Sequence, residues 1–153
     1  MALGDFRIAD SSVGLSVAHT YAVKYGTANS IKAGEVVIKD GSNAGYVAVA
    51  VNGSSNSSVY IGIAATTSTD TTTADGTVSV WDNPMATFVG KATTPANLAR
   101  SLVFTQVTLD VTSTIQTIDE NDTSNGTFII TDYNTDTDEV TFRFATNDHI
   151  TAG

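Results

Sequence analysis

The sequence contains no cysteine, and this absence excludes a disulfide framework, thiolate catalysis and any cysteine-ligated metal. Proline occurs only twice and glycine at an ordinary twelve positions, so the composition is neither collagen-like nor that of a flexible linker. No apolar run approaches the ~18 residues that a membrane-spanning helix needs. The N-terminus, Met1–Arg7, lacks the basic and then apolar pattern of a signal peptide. We therefore expect a soluble protein that is made in a cytoplasm.

Basic side chains are also scarce. Seven Lys and Arg stand against sixteen Asp and Glu, which gives a net charge of −9. A chain this acidic has no electrostatic means of following a phosphate backbone, and anionic lipid surfaces repel it. We therefore expect neither nucleic acid nor a membrane among its partners.

Small polar residues take the place of the missing charges. The 153 residues include 25 Thr, 14 Ser and 10 Asn, and only 15% are charged. Threonine and valine favour pleated strands over helices. The length is that of one ordinary domain, large enough to bury a core.

Short alternating segments bounded by Asn-Gly and Asp-Gly turns predict an all-β fold, either a small β-barrel (or β-tulip) or a sandwich. The clearest alternation places Val140, Phe142 and Phe144 on one face, with Thr141 and Arg143 on the other. The predicted strands cover 36–38, 46–51, 59–66, 77–82, 85–92, 102–111, 127–133 and 139–145.

The segments divide into three parts. Residues 1–20 are weakly patterned and are predicted to form an extended N-terminal arm. Residues 21–92 form a central β-barrel portion, and 93–153 a short helix followed by a C-terminal β portion. The helix is predicted near 94–100, because Thr94 suits an N-cap and Pro95 the first helical position. Whether the two β portions are one domain or two lobes stays open.

No catalytic motif is present, so the sequence predicts no enzyme and assigns no catalytic, cofactor-binding or metal-ligating residue. The glycines form no phosphate-binding loop. His19 and His149 lie near the termini without a recognisable nucleophile motif, and both are predicted to be surface residues. Thirteen aspartates would offer carboxylate pairs by chance, so they do not indicate glycoside hydrolysis.

Two acidic segments resemble ligand loops. Asp132–Glu139 has oxygen ligands at alternate positions, as in a calcium loop. The EF-hand pattern then needs Gly where Thr137 stands and Glu where Arg143 stands, so a polar hairpin turn is the favoured interpretation. The acidic segment Asp119–Asp122 is interpreted in the same way.

The aromatic residues leave a carbohydrate-binding module as an alternative. Trp81 is the only tryptophan, and beside Val78 and Val80 it is more typical of a core or interface anchor. A sugar platform would need several exposed rings together. The five tyrosines are scattered along the chain: Tyr21, Tyr25, Tyr46, Tyr60 and Tyr133.

The central segment resembles a known family. Ile31–Val37 precedes an Asp-Gly turn and a Val/Ala strand, then come Ile61–Ala65, a Thr-rich loop and Asp75–Val80. This order, over about residues 30–90, resembles the head decoration (capsid cement) proteins of tailed bacteriophages, of the lambda-type decoration family. Residues 100–146 depart from the short lambda type.

The resemblance implies a β-rich structural virion protein that stabilises the capsid exterior. It implies the major capsid protein as partner, self-association as a homotrimer, and an N-terminal arm that bridges neighbouring capsid subunits. Such an arm could add a strand to a sheet edge of the capsid protein. Two alternatives remain open: another phage virion component, such as a tail or head-fibre module, or a carbohydrate-binding, adhesin-like β-sandwich.

Overall fold

The computed structural model describes residues 4–9, 17–51, 59–123 and 126–145. Within these ranges the chain forms eleven β-strands and two short 3-10 helices. The strands are β1 (Arg7–Ile8), β2 (Ala18–Val23), β3 (Val36–Lys39), β4 (Val47–Val49), β5 (Tyr60–Ala64), β6 (Gly76–Trp81), β7 (Phe88–Lys91), β8 (Gln106–Thr112), β9 (Ile115–Asp119), β10 (Phe128–Asn134) and β11 (Glu139–Phe144). The 3-10 helices cover Pro95–Asn97 and Arg100–Leu102, and no described helix is long and apolar enough to cross a membrane.

Five strands close into a barrel in the order β2-β4-β3-β5-β6, which confirms the predicted all-β fold with a small barrel. All neighbours are antiparallel except β2 and β4, which meet in parallel at Val23 and Val47. Valine, isoleucine and alanine side chains fill the small interior, as expected for so few strands. They are Val23, Ile31, Val37, Val47, Ile61, Ala64, Val78 and Val80.

The other six strands form a curled sheet in the order β1-β7-β11-β10-β8-β9. It curls so far that Ala92, directly after β7, bridges Ile118 on β9. The alternation predicted for β11 is confirmed, since Val140, Phe142 and Phe144 are buried. Strand β7 belongs to this sheet, so the barrel strands end at Trp81 rather than continuing to residue 92.

One hydrophobic core joins the barrel to the curled sheet. Strand β5 is buried at all five positions, because one side faces the barrel interior and the other the sheet. A buried amide adds a polar link. The backbone amide of Val36 donates to Gln116 Oε1 at 2.6 Å, and Gln116 Nε2 donates to the carbonyl of Ala50 at 3.0 Å. The barrel and the sheet are therefore packed and hydrogen-bonded together.

The described part of residues 1–20 differs from the predicted extended arm. Phe6 is buried, and its amide donates to the carbonyl of Gly34 at 2.9 Å. Its ring packs so closely on Gly90 that a Cβ there would lie 2.0 Å from a ring carbon. Strand β1 pairs with β7, and β2 already begins at Ala18. The apolar Phe6 and Ile8 thus hold this segment against the chain's own sheet, while residues 10–16 lie outside the described ranges.

The short helix predicted near 94–100 is present as two separate 3-10 turns. Thr94 makes no side-chain cap, and Leu98 and Ala99 adopt extended backbone between the turns. The amides of Thr93 and Thr94 are satisfied from outside, by the carboxylate of Glu120 at 3.2 and 2.9 Å. The second turn occupies the beginning of the strand predicted at 102–111, so β8 starts only at Gln106.

Candidate functional site

A cluster of polar and aromatic side chains lies at one mouth of the barrel, and the strand register explains it. Val23, the last residue of β2, pairs with both Val47 of β4 and Gly76 of β6. Because β6 is antiparallel to β2, this pairing places Asp75 beside Lys24 and Tyr25, just beyond the end of β2. Tyr46 precedes Val47 on the parallel strand β4, and its side chain reaches Asp75. Lys24, Tyr25, Tyr46 and Asp75 are called here the tyrosine cluster.

Asp75 holds the tyrosine cluster together. Its carboxylate accepts hydrogen bonds from the Tyr25 amide at 3.0 Å and the Tyr46 hydroxyl at 2.7 Å, and it pairs with Lys24 Nζ at 3.3 Å. The Lys24 ammonium lies 4.5 Å from the ring centroid of Tyr25 and 5.2 Å from that of Tyr46. The Tyr25 amide and then the Tyr46 hydroxyl lower the pKa of Asp75, so this exposed carboxylate stays charged.

The surface of the tyrosine cluster is therefore preorganised. Tyr25 is 50% exposed, and Asp75 fixes the chain that carries it. Tyrosine supplies a large contact area at a low entropic cost, which suits it to binding surfaces. Sequence reasoning missed the cluster, because the only signals were a tyrosine just after one strand and an aspartate just before another.

A second polar group occupies another position on the barrel. The buried carboxylate of Asp82 is 2.7 Å from His19 Nδ1, and it also accepts the hydroxyl hydrogen bond of Tyr21. Burial, reinforced by Asp82, raises the pKa of Tyr21 above its usual range. The His19 side chain is 61% exposed, which confirms its predicted surface position. His149 lies outside the described residues.

The acidic segments form turns. The Asp132–Glu139 segment covers the end of β10, the turn 135–138 and the first residue of β11, which confirms the hairpin interpretation. The Asn134 side chain accepts the amides of Asp136 and Thr137 at 2.9 and 3.3 Å. Over the described ranges, no three His, Asp or Glu side chains come together as a metal site would require.

The second acidic segment stabilises the chain that follows β7. Glu120, within Asp119–Asp122, is 2% exposed, and its carboxylate holds the segment that follows β7 through the amides of Thr93 and Thr94. Burial raises the pKa of Glu120, against the effect of those hydrogen bonds.

Trp81 does not join a sugar platform. It is half-buried and packs against the core shared by the barrel and the sheet, as predicted for an anchor. Of the five tyrosines, the structure brings Tyr25 and Tyr46 to one site; Tyr60 is buried, and Tyr21 and Tyr133 pack against the two cores.

A cavity of about 480 Å³ lies where the barrel meets the curled sheet, and it is called here the junction cavity. It is lined by residues of the loop 27–35, by residues 49–51 at and after the end of β4, by Val111 of β8 and by Thr114 of the β8–β9 turn. Its volume falls in the range of small-molecule sites, which form preferentially between packed units.

No protein-family model, curated protein or solved structure matches this chain.

Proposed function

We propose that this chain is a structural protein of a tailed-phage virion, located on the capsid exterior, where it binds the major capsid protein as a homotrimer. One observation carries the proposal. The segments that resemble the decoration family, Ile31–Val37, Ile61–Ala65 and Asp75–Val80, overlap β3, β5 and β6 of one closed barrel. The resemblance thus falls on neighbouring strands of a single folded unit.

The tyrosine cluster is the contact surface that this proposal assigns to the capsid protein. Interfaces concentrate their binding energy in a few aromatic and basic anchors, and preorganised side chains lose little entropy on docking. Tyr25, Tyr46 and Lys24 combine these properties at the barrel mouth. The net charge of −9 suits a protein that stays in solution and off the packaged DNA until it meets the shell.

Co-sedimentation with phage heads tests the proposal. The heads are those of the tailed phage that carries the gene, purified from a mutant in which the gene is deleted. The wild-type protein should sediment with these heads at a saturating ratio. Tyr25→Ala should weaken the binding by about tenfold or more, as for an anchor residue. Met85→Ala is the matched control, because Met85 is 60% exposed and lies outside the tyrosine cluster.

Two outcomes of this experiment distinguish the decoration function from the binding role assigned to the tyrosine cluster. Heads that bind no wild-type protein would contradict the decoration function. Heads that bind a Tyr25→Ala, Tyr46→Ala double variant as well as wild type would remove the tyrosine cluster from the mechanism. Deletion of 1–20 is a poor test, because it removes the buried Phe6 and the first residues of β2.

Light scattering behind a sizing column tests the homotrimer. The expected solution mass is three times the 15.9 kDa of the chain. A mass of one chain at all concentrations would contradict a trimer that forms before docking. If the protein is found on tails or fibres rather than heads, the other virion roles replace this one.

A carbohydrate-binding module is the second candidate function. The observation that favours it is the junction cavity, which combines aliphatic and hydroxyl-bearing side chains.

A further inference from the structure

The junction cavity is assembled from both halves of the fold. The barrel supplies the loop 27–35 and the end of β4, and the curled sheet supplies Val111 and Thr114. The buried Gln116 amide fixes the two halves beside the cavity, since it bonds to Val36 next to Glu35 and to Ala50 in the lining. The cavity is therefore held by the structural core and not by a surface loop alone.

Among the described residues of the lining, Glu35 is the only acidic one. Its carboxylate oxygen Oε2 accepts the backbone amide of Lys32 at 2.8 Å. Burial nevertheless raises the pKa of Glu35, so this one bond does not replace the water that the charged group has lost. A ligand that donates hydrogen bonds to Glu35 would supply what is missing.

The rim of the cavity carries unusual backbone. Ser113 and Thr114 form the two-residue β8–β9 turn with φ values of 50° and 69°, and Asn29 in the lining has φ 51°. Such a turn favours Asn-Gly, and a β-branched residue at positive φ is strained. Strain of this kind persists where surrounding structure enforces it and is concentrated at ligand-binding sites. Thr114 contributes a hydroxyl-bearing side chain to the lining, whereas glycine at this position would contribute no side chain.

We propose that the junction cavity binds a saccharide through one pyranose unit. The aliphatic side chains of Val49 and Val111 offer an apolar wall to the C–H face of the sugar. Around them stand groups that pair with hydroxyls: the Glu35 carboxyl, the Lys32 ammonium and the Asn29 amide. A hydroxyl both donates and accepts, so a sugar can satisfy this mixed set of partners.

A zwitterionic amino acid is the competing ligand, because Lys32 and Glu35 could pair with its carboxylate and ammonium. The neutral groups favour the sugar. Thr27, Asn29 and Thr114 add hydroxyls and an amide to the lining. A zwitterion would leave them unused, whereas a ring of hydroxyls can engage them. This inference rests on the second candidate function, the carbohydrate-binding module, and not on a virion location, so its failure would leave the capsid proposal unchanged.

Saccharide titrations of ¹⁵N-labelled full chain, followed by NMR, test the inference. The probes are the methyl glycosides of glucose, galactose, N-acetylglucosamine and rhamnose, with L-leucine as the zwitterion. At least one glycoside should shift amides of 27–35, 49–51 and 111–114 with a Kd of about 1–10 mM. Glu35→Gln should weaken that binding by about tenfold, because it removes a charged acceptor. Glu139→Gln, on the curled sheet, is the matched control and should leave it unchanged.

Thr114→Gly separates a binding role from a structural one. Glycine relieves the strain at φ 69°, so the variant should melt at a higher temperature than wild type and yet bind the glycoside more weakly. Asp138→Gly relieves a similar φ of 59° outside the cavity and should not change binding. The inference is overturned if no glycoside shifts these amides, if only L-leucine does, or if Glu35→Gln and Thr114→Gly bind as wild type does.

Discussion

The barrel and the curled sheet bury different kinds of hydrophobic side chain in their cores. The barrel interior contains only valine, isoleucine and alanine among its buried residues. The core beside the sheet contains Phe6, Phe88, Phe128, Phe142 and Phe144, in addition to Tyr60 of the barrel. A five-stranded barrel has room for branched aliphatics, whereas an open, curled sheet packed on a neighbour can bury large rings.

The two regions also differ in what they contribute to stability and to binding. The rings contact one another at centroid distances from 4.7 to 6.3 Å, so the aromatic core is a single connected cluster. The barrel carries the tyrosine cluster and most of the junction cavity. We infer that the sheet contributes most of the stability and the barrel most of the binding surface.

The largest expected effect is from truncation in the aromatic core. Phe142 is fully buried and contacts four other phenylalanine rings. Phe142→Ala should lower the free energy of unfolding by about 3–5 kcal/mol, through lost burial and the cavity left behind. Val80→Ala in the barrel should cost about 2 kcal/mol, because it removes fewer buried carbons. Urea denaturation measures both, and equal losses would contradict the division of stability.

An intermediate effect is expected at the link between the two regions. Gln116→Ala leaves the buried amide of Val36 without its partner, which should cost about 1–3 kcal/mol. The loss should also reduce the cooperativity of unfolding, seen as a lower dependence of the free energy on urea concentration. Gln106→Ala is the control, because Gln106 is exposed. An unchanged urea slope in Gln116→Ala would show that the hydrophobic core alone couples the regions.

Much of the fold follows from local pattern. The alternation in β11 and the turn-bounded strands of the barrel were predictable, because side-chain period and turn chemistry act over a few residues. Strand β9 was missed because its turn uses Ser113-Thr114 rather than Asn-Gly. The helix prediction relied on Thr94 as a cap, but the Thr94 side chain caps no amide, and its own backbone amide donates to Glu120, far along the chain.

The candidate sites could not be predicted in the same way. Lys24 and Asp75 are 51 residues apart in sequence and meet only because β2 pairs with β6. The junction cavity needs the relative placement of barrel and sheet, which Gln116 and the shared core determine. Both sites depend on the pairing and packing of segments that are far apart in sequence, and local sequence patterns do not predict these.

The smallest expected effect concerns pH and the buried Glu120. Burial raises its pKa in the folded protein, so the folded state holds the proton more tightly than the unfolded one. The stability that this proton contributes is present below the usual pKa near 4.5, and it is lost as pH rises through the raised value. The Glu120→Gln variant has no carboxyl proton to lose. Its free energy of unfolding, relative to that of wild type, should therefore increase as the pH rises through the raised pKa. At neutral pH the two free energies should agree to within about 1 kcal/mol. The pKa of Glu35 is also raised, so Glu35 contributes to the pH dependence of stability in both proteins. Urea midpoints from about pH 4 to about pH 8 measure the effect, and parallel pH profiles would show that Glu120 ionises alike in the folded and unfolded chains.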